Sequence, residues 1–315
     1  MRRRAAGKRR LARRLRRGTG DLEQYILDTG YHWGEWLRPG TAMLPDIARN
    51  LTLHPNNAIS TAYFANSARL LSQIAAVLGD EQDATTYGDL AVNVRRAWRA
   101  AFVRDGGARI GEDKQDDYVR ALAFGLLEDE AARRRALGRL VELIDAADGH
   151  LGTGFLSTPM LLSTLVDEGR PDVALRVLMQ TSSPSWLGQV ERGATTTWET
   201  WEGYDEKGNA SESHNHYAFG AVVQFLQERI AGLAPLEAGY RRIRVAPVIG
   251  GGLTSASVRI ETPFGPAASA WTLSGESVRL TVTVPAGTEA DVDLEGETHT
   301  FGPGVHEVTA PLRAR

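Results

Sequence analysis

Residues 193–217 place Gly193-Ala-Thr-Thr-Thr-Trp-Glu-Thr-Trp-Glu202 shortly before Ser213-His-Asn-His-Tyr217, so two Trp, two Glu and two His fall close together. An indole covers the apolar face of a sugar ring, a carboxylate moves protons at a glycosidic bond, and an imidazole donates to hydroxyls. Glu199, between Trp198 and Trp201, is the leading candidate for a general base, because aromatic walls would partly desolvate it. The competing reading is a Glu at a helix N-terminus, held by the helix dipole. Trp198 and Trp201 are candidate sugar contacts, and Glu202 is a supporting or solvated group. His214 and His216 are two apart and point to different sides of their backbone. They lack the i, i+4 spacing and the third ligand of a zinc site, so no metal is expected. His216, beside Tyr217 at the opening of a helix, is the candidate donor to a sugar hydroxyl.

A second aromatic–carboxylate cluster is Tyr31-His-Trp-Gly-Glu-Trp-Leu37. Gly34 lets the backbone turn sharply there, presenting Trp33 or Trp36 as a stacking platform beside Glu35. The alternative is a Trp-rich apolar lid. Trp186, in Pro184-Ser-Trp-Leu187, reads equally as core or as sugar contact. Gly149-His-Leu-Gly-Thr-Gly-Phe155 lacks the strand–helix context of a phosphate loop and reads as a turn entering a helix.

The elements that must position these residues change character along the chain. Helical spacing of apolar residues runs from about 56 to 78, with Gly79 as a stop, and from 82 to 104, with Tyr87, Leu90, Val94, Trp98 and Phe102 on one face. Further helical patterns cover 115–128, 130–146, 156–168, 171–180 and 215–231. Paired helices with short Gly-bearing loops and no clean repeat suggest helical hairpins in a toroid. After Gly232-Leu-Ala-Pro235 the period becomes two, at 242–245, 257–260, 268–273, 278–284 and 290–294, with Gly and Pro between the runs. The expected architecture is mainly α with a β domain: a helical domain over 21–234, then a small antiparallel β-sandwich over 235–315.

At 315 residues and 42% hydrophobic, the chain can bury one large core with a small appended domain. It has no cysteine, which excludes disulfides, thiolate metal sites and a Cys nucleophile. No apolar run approaches the roughly 18 residues of a membrane helix, and no apolar signal segment opens the sequence, so a cytoplasmic, membrane-free protein is expected. The net charge of -3 hides an asymmetry: residues 1–17 hold ten Arg and Lys and no acid, leaving 26 basic against 39 acidic residues in the remainder. Residues 1–20 are expected to form a solvated tail. Nucleic-acid binding is disfavoured, because neither a recognition fold nor interleaved aromatics accompanies the charge.

Taken in order, Gly30-Tyr-His-Trp-Gly-Glu-Trp-Leu37, Gly152-Thr-Gly-Phe155, Pro184-Ser-Trp186, Gly193-Ala-Thr-Thr-Thr-Trp-Glu199 and Asn215-His-Tyr-Ala-Phe-Gly220 resemble the landmarks of bacterial α-L-rhamnosidases. The resemblance runs from about residue 21 to 311. It implies an (α/α)6 six-hairpin barrel with a C-terminal β-sandwich, and hydrolysis of terminal α-L-rhamnosyl residues with inversion and without a cofactor. It matches Glu199 to the family's general base, His216 to its sugar-contacting histidine, and Trp36 to a Trp lining the rhamnose pocket. Glu35 stands where the family more often has Asp.

The family's general acid is a Glu in an upstream Arg-Asp-Glu-Arg segment, which does not occur in these 315 residues. An inverting hydrolase needs two carboxyl groups about 6.5–9.5 Å apart. The resemblance therefore implies a C-terminal portion of the enzyme carrying one of the pair. Seven or eight helical segments against twelve in a whole barrel imply an open barrel, whose apolar faces a second copy could cover as a homodimer. Two alternatives stand beside this. One is a rhamnoside-binding fragment without turnover. The other is an inverting hydrolase of another sugar, with Glu35, Asp116 or Asp117 as its acid.

Overall fold

The computed structural model describes residues 22–28, 32–40 and 57–313. The basic run, Gly30 and Tyr31 lie outside the described residues. The chain divides into two compact units. One is Met1–Thr164 with Ser183–Ser185 and Thr200–Glu202; the other is Leu165–Ser182, Trp186–Glu199 and Gly203–Arg315.

The first unit is built on a helical hairpin, α1 (Asn57–Val77) and α2 (Glu81–Phe102). The buried stripe of α1 is largely alanine (Ala62, Ala65, Ala68, Ala75), which lets the two backbones approach; a Cβ on Gly88 of α2 would lie 3.2 Å from Ser72 Oγ. Gly79 takes the left-handed turn (φ 72°), and Asp80 caps α2 by accepting from Asp83 N at 3.0 Å. Tyr87, Val94 and Trp98 fill the buried face of α2, as their spacing predicts, and Trp98 donates to Ala58 O at 2.8 Å. A two-residue hairpin of β1 (Val103–Arg104) and β2 (Arg109–Ile110) leads to α3 (Gln115–Ala123), which is buried from Gln115 through Leu122. The spacing predicts α3 as far as 128; it stops earlier because Gly125 turns left-handed (φ 61°). α4 (Glu130–Asp145) follows, and α5 (Thr158–Asp167) crosses the division between the units.

The second unit holds α6 (Pro171–Leu178), the short α7 (Trp186–Glu191), and a helical stretch over 218–230 that ends in a π-helical turn, Leu226–Ile230. Eight strands make a β-sandwich. One sheet has the order β10-β7-β6-β5 and the other β3-β4-β8-β9. Their ranges are β3 Leu233–Pro235, β4 Arg242–Val245, β5 Ser255–Thr262, β6 Gly265–Ser274, β7 Ser277–Val284, β8 Glu289–Leu294, β9 Glu297–Phe301 and β10 Gly304–Pro311. Alternate residues of both sheets, among them Ile243, Val245, Trp271, Leu280, Val292 and Leu294, form one core. Trp271 Nε1 donates to Ile230 O at 2.8 Å and Ser269 Oγ to Ala231 O at 2.6 Å, so the buried polar groups of β6 are satisfied.

The fold is the expected mainly helical chain with a β-sandwich, with two differences. The strands β3, β9 and β10 extend the sandwich beyond the runs that show a two-residue period. β4 and β8 pair in parallel, where an entirely antiparallel sandwich is expected, because residues 246–288 form a crossover that carries β5, β6 and β7.

Candidate active site

In the first unit the segment from His32 to Gly40 turns at Gly34 (φ 64°) and sets Trp33 edge-on to Trp36, with ring centroids 4.8 Å apart. Trp33 is 59% exposed and Trp36 half-buried, so an aromatic surface does face outward here. Glu35 turns the other way. It is 8% exposed, and its carboxylate accepts from Gly154 N at 2.9 Å, Ser157 N at 2.8 Å, Ser157 Oγ at 2.9 Å and the Arg120 guanidinium. Gly154 and Ser157 lie in the turn just ahead of α5, so Glu35 sits near a helix N-terminus, where a negative charge is favoured. Gly154 is required by close approach: a Cβ there would lie 2.2 Å from Trp36 O.

Arg120 also bonds to Asp116 and, at 3.0 Å, to Asp117. Arg38, two residues beyond Trp36, grips Asp116 through Nε and Nη2, each at 2.8 Å. Trp36 is therefore flanked by two charged anchors into α3. Three carboxylates share two guanidiniums in this buried cluster, and one carboxylate is short of a counter-charge. Burial opposes ionisation of Asp116, but Arg120 and Arg38 hold its carboxyl below the usual range. Burial, then the neighbouring Asp116 charge, push Glu35 up to about 7 and Asp117 up to about 6.

In the second unit residues 196–199 and 203–204 pair irregularly with 210–216. The Thr run makes this pairing. Thr196 and Thr197 donate their hydroxyls to the carbonyls of His214 and His216, and His216 N bonds to Thr197 O at 2.9 Å. Glu199 N donates to Ser213 O at 2.8 Å, and Ser213 N returns a bond to Glu199 Oε2 at 3.2 Å. Tyr204 bridges Ala210, and Asp205 closes the turn by accepting from Lys207 N and Asn209 N at 2.9 and 2.8 Å. Glu199 is thus half-buried and held from one side. His216 Nδ1 accepts from Ala218 N at 3.3 Å, which places the neutral ring's proton on Nε2, the form that donates to an oxygen acceptor.

Trp198 and Trp201, the expected sugar contacts, are both buried. Trp198 is 3% and Trp201 2% exposed, so neither ring has a free face. Trp198 stacks on His214 (4.6 Å, 21°) and meets Tyr204 edge-on at 5.4 Å, while Gly203 packs so closely that a Cβ would enter the indole. His214 is a packing residue as well, bonded to Gly203 O. Trp186 resolves to core: it is buried and donates to Phe219 O at 2.9 Å. The glycine run 149–155 braces the Glu35 cluster, with Gly152 N donating to Gln115 Oε1 at 2.7 Å.

Arg38, Arg120 and Ser157 were not readable as site residues. Only Arg120 carries a sequence signal of pairing, with Asp116 four and Asp117 three positions before it on the same helix. No cluster of three or more His, Asp or Glu with metal-holding geometry occurs among the described residues, and none of their helices is long and apolar enough to cross a membrane.

The model of the bacterial α-L-rhamnosidase six-hairpin glycosidase domain matches residues 9–230, and that of the bacterial α-L-rhamnosidase C-terminal domain matches residues 232–309. An α-L-rhamnosidase of Streptomyces avermitilis is 42% identical over 257 residues, 79% of this chain and 25% of that protein. One from Formosa agariphila is 38% identical over 266 residues, 83% of this chain and 28% of that protein. The crystal structure of the Streptomyces avermitilis α-L-rhamnosidase complexed with L-rhamnose superposes with a TM-score of 0.82 at 34% identity, covering 95% of this chain and 30% of that one. The chain thus spans under a third of the length of these relatives, across both the helical and the sandwich regions. It belongs to the bacterial α-L-rhamnosidase family of six-hairpin glycoside hydrolases.

Proposed function

We propose that this chain supplies the general-base side of an inverting site for terminal α-L-rhamnosyl residues, with Glu199 as the base. The observation that carries the reading is the contrast between its two Trp-flanked carboxylates: Glu35 accepts four hydrogen bonds in a buried cluster, whereas Glu199 is half-buried and receives a single backbone N–H at 3.2 Å. A carboxylate with open lone pairs can accept the proton of a water as that water attacks the anomeric carbon opposite the leaving oxygen. His216, fixed beside Thr197 on the same paired segment, donates through Nε2 to a sugar hydroxyl. Trp33 and Trp36 form the aromatic platform, and Glu35 orients that platform from behind. The same reading assigns residues 21–234 to the catalytic domain and 235–315 to the C-terminal sandwich.

Burial argues against Glu35, Asp116 or Asp117 as the partner acid. Asp116 is kept ionised by two guanidiniums, and Glu35 and Asp117 are sealed from solvent. The Arg-Asp-Glu-Arg segment does not occur in this sequence, so we assign the base alone. The test is Glu199→Gln in a polypeptide that also carries that segment. Hydrolysis of an aryl α-L-rhamnoside should fall on the order of 10²–10⁴-fold, with L-rhamnose affinity changed only a few-fold. Near-normal turnover removes Glu199 from the mechanism. Calorimetric binding of L-rhamnose by the 315-residue chain without turnover would instead favour a binding role for this chain.

A further inference from the structure

The outer face of the sheet β3-β4-β8-β9 follows from strand alternation. Ile243, Val245, Ala290, Val292 and Leu294 point into the sandwich core. Their neighbours Arg242, Arg244, Asp291 and Asp293 therefore share the opposite face. Across the sheet, Arg244 lies in register with Asp291 and Asp291 with Thr300, while Asp293 lies in register with Thr298. These residues line a groove of about 450 Å³, within the size range of small-molecule sites.

Its positive charges are incompletely paired. Arg242 bonds to Asp291 at 2.8 Å, and Asp291 also accepts from Thr300 at 3.1 Å, but Arg242 Nε is buried without a hydrogen-bond partner. Arg229, whose like charge acts on Arg244, bonds to Asp167 at 2.7 Å, and its Nε is likewise buried and unpaired. The Arg244 side chain makes no hydrogen bond or ion pair with any described residue. Burial and the Arg229 charge disfavour its cation more than Asp167, Glu228 and Asp293 favour it. Buried donors without partners are rare in folded proteins, and Arg244, on the lining of the groove, is the cation that an outside acceptor can meet.

The anion that fits is limited by the two carboxylates on the same face. Asp291 and Asp293 repel a doubly charged phosphate, yet they accept hydrogen bonds from hydroxyls, as Thr298 and Thr300 also can. We propose that the groove over β4, β8 and β9 binds an acidic sugar residue, with the Arg244 guanidinium on its carboxylate and Asp293 and Thr298 on its hydroxyls. An arginine matches a carboxylate as a two-point fork, which sets the orientation of the ring.

The test is titration of the full chain with sodium D-glucuronate, D-glucose and inorganic phosphate, followed by amide chemical shifts. Glucuronate should shift amides of β4, β8 and β9 and bind at least tenfold more tightly than glucose or phosphate. Arg244→Gln should weaken it at least tenfold while leaving the thermal midpoint unchanged or raised, because it removes an unpaired cation. Arg244→Lys, which keeps the charge without the fork, should fall between the two. Glu199→Gln should leave glucuronate binding unaltered. The proposal is overturned if glucuronate does not bind, if Arg244→Gln has no effect, if phosphate binds equally well, or if Glu199→Gln abolishes the binding.

Discussion

Trp33-Gly-Glu35-Trp36 and Trp198-Glu199-Thr-Trp201 look alike in sequence and are opposites in structure. In the first, the carboxylate is buried in an ionic cluster and an aromatic ring faces outward. In the second, the indoles are buried and the carboxylate is left half-exposed. A Glu at a helix N-terminus is one of the readings open for Glu199 from sequence; the structure realises that arrangement at Glu35, against amides of the turn just ahead of α5. The difference teaches that residue type and spacing nominate candidate carboxylates, whereas the number of donors already aimed at a carboxylate indicates whether it is free for chemistry or is holding the backbone.

The widest separation between the two segments should come from removing the carboxylate charge at each. Glu199→Gln is expected to lower turnover by orders of magnitude with little change in thermal midpoint, as set out above. Glu35→Ala, which leaves the buried donors of Gly154 and Ser157 unmet, should cost about 1–3 kcal/mol, and Arg120→Met, which leaves three buried carboxylates to one guanidinium, about 3–5 kcal/mol. For a unit of this size the larger loss lowers the midpoint by about 10 °C. If Glu35→Ala melts like the parent, the cluster is not what holds the aromatic segment. Gly154→Ala should come next, at about 1–3 kcal/mol, since its new Cβ meets the Trp36 carbonyl and backbone must shift. Near-UV circular dichroism, reporting Trp33 and Trp36, should change with it.

The smallest effect concerns pH. Glu35 and Asp117 reach about 7 and about 6 when folded, against 4.5 and 3.8 for the free groups. The folded state therefore binds protons first on acidification, and stability present near pH 5 is lost as pH rises through these folded values. Urea unfolding should show a gain on the order of 1–3 kcal/mol from pH 8 to pH 5. Glu35→Gln should flatten most of that slope; an unchanged slope would mean that the cluster carries no excess proton.

What was legible in the sequence follows the range of the interactions. The α1–α2 hairpin is written in its local spacing, with Gly79 as a stop, so its bounds follow within a residue or two. The Thr-Thr-Trp-Glu and His-Asn-His landmarks locate the paired segment for a similar reason, since few residues separate its two halves. Arg38 and Asp116 are 78 positions apart, and Arg120 and Glu35 are 85 apart, so no local pattern announces the cluster. β9 escapes notice because as an edge strand of Glu297-Thr-His-Thr-Phe301 it is exposed on both faces and shows no alternation. α7, at six residues, is too short for a helical period to develop.

The parallel pairing of β4 with β8 has a consequence for how the chain acquires its shape. During synthesis β4 leaves the ribosome well before its partner, and the crossover strands β5, β6 and β7 appear in the interval with a sheet of their own to form. Until β8 arrives, one side of β4 presents unpaired amides and carbonyls and waits on a distant contact. The C-terminal sandwich should therefore be the late-assembling, aggregation-exposed part of the polypeptide, and a ribosome stalled short of Leu294 should leave it without its second sheet.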